Sequence, residues 1–145
     1  MKRRLVLIIL AGLLAITSAA HSFCFEEAGK MYSINADLLR AIAFVESSYR
    51  PHVVNQSNKN GSYDYGLMQI NSRWAKTIGE ELWMELGDPC MNVMVGAWIL
   101  SDCIRRHGYS WKAVGCYNTS DSKKQGKYIK KVKKALDEID KIKKN

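Results

Sequence analysis

Several common chemical devices are missing from this 145-residue chain. It has no HExxH pair, no P-loop and no nucleophile elbow, which removes the helical zinc-protease, nucleotide-phosphate and strand-turn-helix serine plans. No CxxC pair exists, and His21, His52 and His107 show no ligand spacing, so zinc is discounted and neither metal nor cofactor is expected. No repeat or low-complexity segment stands out, and no strong strand signal occurs. The one long apolar run, Leu5 to Ile16, falls short of the roughly 20 residues a membrane span needs.

That run has a different use. Lys2, Arg3 and Arg4 precede it, and Thr17-Ser18-Ala19-Ala20 follows with small residues. This order is the layout of a secretory signal, so residues 1–20 are read as a cleaved signal peptide. An uncleaved anchor is the alternative. A lipoprotein cut before Cys24 is not indicated, because His21-Ser22-Phe23 lacks the small residue such a site requires. The mature domain is then 21–145, periplasmic or secreted, and long enough for one core.

All four cysteines, Cys24, Cys90, Cys103 and Cys116, lie beyond the signal. An even count in an exported chain points to two disulfides. Cys103 and Cys116 fall on consecutive helical segments joined by a turn and could bridge them, leaving Cys24 for Cys90. Three pairings are possible, and sequence does not choose among them.

The net charge of +8 is uneven. Residues 123–145 carry ten lysines against Asp137, Glu138 and Asp140, whereas 21–122 is slightly acidic. A basic tail suits an anionic polymer or surface, or a solvated helix face. No nucleic-acid partner is expected, and the protein is read as a monomer.

Helical patterns dominate. Asn35 can cap a helix in which Leu38, Leu39, Ile42 and Val45 recur at helical spacing. The segment 89–107 has Asp88 as cap, Pro89 at the first position, Arg105-Arg106-His107 in the last turn and Gly108 as stop. A short helix is predicted around 111–117. The chain closes with a helix whose apolar stripe is Tyr128, Val132, Ala135, Ile139 and Ile142. Any sheet should be a small hairpin in the 53–67 region. The four tryptophans, Trp74, Trp83, Trp98 and Trp111, are assigned to no site, since aromatics more often supply core area.

Glu46 stands out on the first of these helices. It lies within about 20° of Leu39 on the helix wheel, on the apolar face. Burial and a position at the helix C-terminus both favour the neutral acid. A carboxyl protonated near neutral pH can donate a proton to a leaving group. The alternatives are a structural glutamate paired with an arginine such as Arg50, or one that simply sits at the rim. Asp64, in the following loop, is the other carboxylate with a route to Glu46.

At these residues the chain resembles a known family. Glu46-Ser47-Ser48-Tyr49-Arg50-Pro51 is similar to the catalytic glutamate-serine motif of lytic transglycosylases with a lysozyme-like fold. Tyr65-Gly66-Leu67-Met68-Gln69-Ile70-Asn71 resembles the family's second motif, and Ala113-Val114-Gly115-Cys116-Tyr117-Asn118 its third. Tyr128-Ile129-Lys130-Lys131-Val132 resembles its fourth, which contributes a tyrosine facing the acid. The ordered set spans most of 21–132. The signal, small size, early cysteine and Asp88-Pro89-Cys90 resemble the members that accompany type III and type IV secretion systems. Two departures are Thr119-Ser120, where Ala-Gly is usual, and Arg50, where Asn or Asp is usual.

The resemblance implies a mainly α, lysozyme-like (α+β) single domain with at most a small β-hairpin. It implies peptidoglycan glycan strands as substrate, a secretion-system component as a partner that the basic tail could dock, and Glu46 as catalytic acid and base. Ser47 would orient Glu46 or the sugar acetamido group. Met68, Gln69 and Asn71 would line the groove, Tyr117 and Asn118 would bind around the cleaved bond, and Tyr128 would hold Glu46. A hydrolytic lysozyme assisted by Asp64 or another carboxylate, a non-catalytic wall-binding scaffold and a membrane-active tail are the rival readings.

Overall fold

The computed structural model describes residues 23–145, and the segment read as a signal peptide lies outside the described residues. Side-chain caps start most of the longer helices. Helix α1 is Phe25–Tyr32, and α2 is Ala36–Ser47. Asn35 Oδ1 accepts the amides of Asp37 at 2.7 Å and Leu38 at 3.2 Å, which satisfies two donors that lack helical partners. The short helices α3 (Ala75–Ile78) and α4 (Glu80–Met84) are flanked by 3-10 turns at Ser72–Trp74 and Glu85–Gly87.

Helix α5 is Pro89–His107, with Asp88 Oδ1 accepting the Met91 amide at 2.8 Å. Its stop is Gly108 at φ 71°, a backbone conformation that a Cβ disfavours. Helix α6 is Trp111–Asn118, capped by Ser110, and α7 is Ser122–Lys144, capped by Asp121.

Helix α5 packs against both α1 and α6, while α7 packs on both α2 and α6. Leu39 and Ile42 of α2, Val93 and Leu100 of α5, and Val132 of α7 are fully enclosed between them. The Tyr128, Val132 and Ala135 stripe of α7 is buried, and Ile139 packs against the core. The last member of that stripe is not part of it. Ile142 is 75% exposed, close to where the helix ends.

Two disulfides clamp this arrangement, Cys24–Cys90 and Cys103–Cys116, with Cα atoms 5.1 and 5.9 Å apart. The first ties the start of α1 to the first turn of α5. The second joins α5 to α6.

The sequence predicts one hairpin, but the structure has three short antiparallel strands: β1 (Val54–Asn55), β2 (Asp64–Tyr65) and β3 (Ile70–Asn71). Tyr65 faces both Val54 and Ile70, and Asp64 faces both Asn55 and Asn71. The third strand follows from a tight turn between β2 and β3. Gly66 at φ 82° and Gln69 at φ 50° turn the chain back on itself in four residues. Periodicity over so short a stretch carries no signal of it. The architecture is mainly α and lysozyme-like, with one small three-stranded sheet among the described residues.

Candidate active site

Glu46 leaves α2 from its last turn. The chain then bends hard, because Ser48 at φ 52° and Tyr49 at φ 60° are both left-handed. Left-handed backbone at non-glycine residues costs energy and collects at functional sites. The side chain of Glu46 is half-buried by surface area, yet protein encloses its carboxyl closely. Burial pushes its pKa from the usual carboxylate range up to about 7, while a hydrogen bond from Tyr128 opposes the rise. The Asp64 carboxylate adds to the rise and the Lys131 ammonium opposes it.

Tyr128 comes from α7 and is almost fully buried. Its hydroxyl donates to Glu46 Oε1 at 2.6 Å. Burial and the neighbouring carboxyl push the phenol's own pKa well up, so it stays a donor. Tyr117 comes from α6. Its hydroxyl donates to the Met68 carbonyl at 2.7 Å, and Glu46 and Asp64 add to the effect of burial in raising its pKa. Three helices and one strand therefore converge on one carboxyl. Arg50 is not its partner: Nε of Arg50 donates to the Ser47 carbonyl at 2.9 Å, and no ion pair to Glu46 occurs among the described residues.

Asp64, on β2, is held from two sides. Its carboxylate accepts the side-chain amides of Asn71 at 2.7 Å and Asn58 at 2.9 Å. Asn71 also donates to Ser62 Oγ at 3.0 Å. Asn71 thus acts on the site through Asp64, by fixing the second carboxylate.

The β2–β3 turn is anchored by a residue that motif reading misses. Asn92, fully buried on α5, accepts the Met68 amide at 2.7 Å and donates to the carbonyls of Tyr65 and Leu86, each at 3.2 Å. Gly66 is glycine because a Cβ there would collide with the Asn92 amide. The available signal was a lone asparagine among the apolar positions of 89–107. Asn92→Ala strands three buried backbone groups, and we expect a loss of about 3 kcal/mol, measured by urea unfolding. An unchanged midpoint would show that the turn holds itself.

Two of the residues named for the site, Met68 and Ser47, are enclosed by the fold. Met68 is completely buried, with its side chain lying against Gly96 of α5, so it is core and lines no open groove. Ser47 is also buried. Its Oγ lies 2.8 Å from the Leu67 carbonyl and 3.1 Å from that of Ala43, and so ties the end of α2 to the turn. Both are buried because the turn between β2 and β3 folds inward between α2 and α5. Gln69 is half-buried, and its amide donates to the carbonyls of Val53 at 3.0 Å and Gly66 at 2.9 Å, which leaves its side-chain oxygen for a ligand. Asn118 is exposed at the end of α6. The tryptophans stay out of the cluster: Trp74 packs edge-on against Trp98, and Trp111 carries Lys133 over its ring.

Residues 23–140 match the family described as the transglycosylase SLT domain. The chain belongs to that family. Relatives at high identity agree with the assignment. The chain is 44% identical over 132 residues to the invasion protein IagB of Salmonella typhimurium, covering 86% of this chain and 81% of IagB. It is 40% identical over 107 residues to protein IpgF of Shigella flexneri, covering 72% and 70%. It is 36% identical over 141 residues to a peptidoglycan-binding-like protein of Escherichia coli O157:H7, covering 88% and 84%.

Proposed function

We propose that this protein is a lytic transglycosylase that cleaves the β-1,4 bond between N-acetylmuramic acid and N-acetylglucosamine in peptidoglycan. The observation that carries the reading is Glu46. It is an enclosed carboxyl with a pKa of about 7, a tyrosine hydroxyl on one oxygen and no cation paired to it among the described residues. At neutral pH about half of such groups hold a proton, which suits an acid that must also serve as base. Glu46 gives that proton to the glycosidic oxygen as the bond to the muramic C1 breaks. Positive charge develops on the sugar. The carboxylate then takes the proton of the muramic 6-hydroxyl, whose oxygen closes on C1. A 1,6-anhydro end results, and no water is consumed.

Membership of the SLT family and the name of the Escherichia coli relative support the substrate. In this reading the enzyme works outside the cytoplasm, opening the wall locally while a secretion system is assembled. The invasion protein among its relatives supports that setting.

One observation favours a second reading. Asp64, fixed by Asn58 and Asn71, acts on Glu46 electrostatically, as the second carboxylate of a hydrolytic lysozyme would. Mass spectrometry of products from purified peptidoglycan separates the two. Anhydro-muramic ends support the transglycosylase, reducing ends the lysozyme, and no products from folded protein would leave only a binding role.

The pH profile adds a check. Acid catalysis should decline above about pH 7 as Glu46 loses its proton. The Tyr128 hydroxyl lowers the Glu46 pKa, so Tyr128→Phe should move the alkaline limb to higher pH. An unmoved limb would mean that another group sets it.

A further inference from the structure

Two of the ten lysines of α7 form ion pairs among the described residues. Near the C-terminal end, Lys141 pairs with Glu138 at 3.0 Å and Lys143 with Asp37 at 2.6 Å. Toward the other end, Lys124, Lys127 and Lys131 are exposed, and none of them has an ion pair among the described residues. These three share one flank of the helix, within about 60° on the helix wheel, and Lys124 to Lys131 spans about 10 Å. The flank lies beside the catalytic carboxyl. Tyr128 donates to Glu46, and the charge of Lys131, three residues further on, reaches Glu46.

Helix stability does not explain this set. Lys123–Lys127, Lys127–Lys131 and Lys130–Lys134 place like charges four residues apart, which destabilises a helix. No acid appears on α7 before Asp137. The carboxylate nearest the site, Asp64, already spends its oxygens on Asn58 and Asn71. Cations kept against helix stability, at the edge of a site whose own acid is half protonated, suit an anion that arrives with the substrate. The muramic acid residues of a glycan strand carry such anions, as the free carboxylates of their stem peptides.

We propose that Lys124, Lys127 and Lys131 bind stem-peptide carboxylates, so that the enzyme selects peptide-bearing glycan over bare glycan. This rests on the peptidoglycan reading above. Its test is binding of the Glu46→Gln protein to immobilised glycan strands in three forms: with stem peptides, with the peptide carboxylates converted to amides, and stripped of peptides by an amidase with the muramic lactyl carboxylates that this frees converted to amides as well. At low salt the first form should bind about tenfold more tightly than the other two, the scale of three exposed charge pairs acting together. Changing all three lysines to glutamine should abolish the preference, and changing them to arginine should keep it.

Equal binding to the three forms, or a preference that survives the glutamine changes, would overturn the proposal. Lysine-dependent adsorption to phosphatidylglycerol vesicles without discrimination among the glycans would overturn it too, and would assign the flank to a membrane. The comparison needs no turnover, so a failure of unmutated protein to release products counts against the proposed reaction alone.

Discussion

Glu46→Gln should lower product release by about 10²–10⁴-fold and yet leave the protein more stable at alkaline pH. Both effects come from the same burial. The Glu46 pKa is raised from 4.5 to about 7, so the folded protein holds this proton more tightly than the unfolded chain does. Its contribution to stability is complete below the unfolded value, falls as pH rises between the two pKa values, and is lost above the folded one. Above pH 7 the folded protein must accommodate an enclosed charge, at a cost on the order of 3 kcal/mol. Glutamine never takes that charge. Thermal unfolding of the two proteins at pH 4 and pH 8 tests this: the melting temperatures should be similar at pH 4, with the variant higher at pH 8. Parallel pH dependence would show that Glu46 ionises as freely folded as unfolded, and would remove the basis for its role as acid.

Opening the Cys24–Cys90 bridge should be the most damaging change to stability. Its 66-residue separation gives a loop-closure contribution of about 4 kcal/mol, against about 3 for the 13-residue separation of Cys103–Cys116. The longer bridge also holds the eight-residue helix α1 onto α5. Replacing both cysteines with serine should lower the melting temperature by about 10–20 °C, an amount similar domains show for a loss of this size. The matched change at Cys103 and Cys116 should lower it less. The reverse order would mean that the joint between α5 and α6, and not the constraint on the unfolded chain, governs stability. Because Tyr117 follows Cys116 directly, that second variant should also be compared for activity at a temperature where both remain folded.

Much of the frame was legible because it is local. Asn35, Asp88-Pro89 and Gly108 mark helix ends through bonds that reach only three or four residues, so their meaning survives without a tertiary context. The stripe on α7 is local in the same sense, up to Ile142, where sequence has no means of knowing that the core has ended. Glu46 was readable from its register with Leu39 and Ile42, because a carboxyl on an apolar face is conspicuous whatever packs there. Its motif and that of Tyr128 stood 82 residues apart, and only the resemblance connected them.

What tertiary structure decided is everything that depends on which atom faces which. A motif names Ser47, Met68, Gln69 and Asn71 as one group, but the inward fold of the β2–β3 turn divides them: Ser47 and Met68 are buried, Gln69 braces the turn and Asn71 fixes Asp64. Asn92 could not be found from spacing, since its importance lies in three backbone groups distant in sequence or in another element. The paired and unpaired lysines of α7 look alike in the sequence and differ in what α2 and the helix itself place opposite them. By itself, then, the sequence determined the start of α2, both ends of α5 and which carboxyl is out of place, because those rest on short-range bonds and on helical period, whereas α1, α3 and α4 were not read from it. The raised pKa of Glu46, the partner of each polar group and the division between core and groove were decided by packing, because desolvation and hydrogen bonding depend on neighbours the chain meets only once folded.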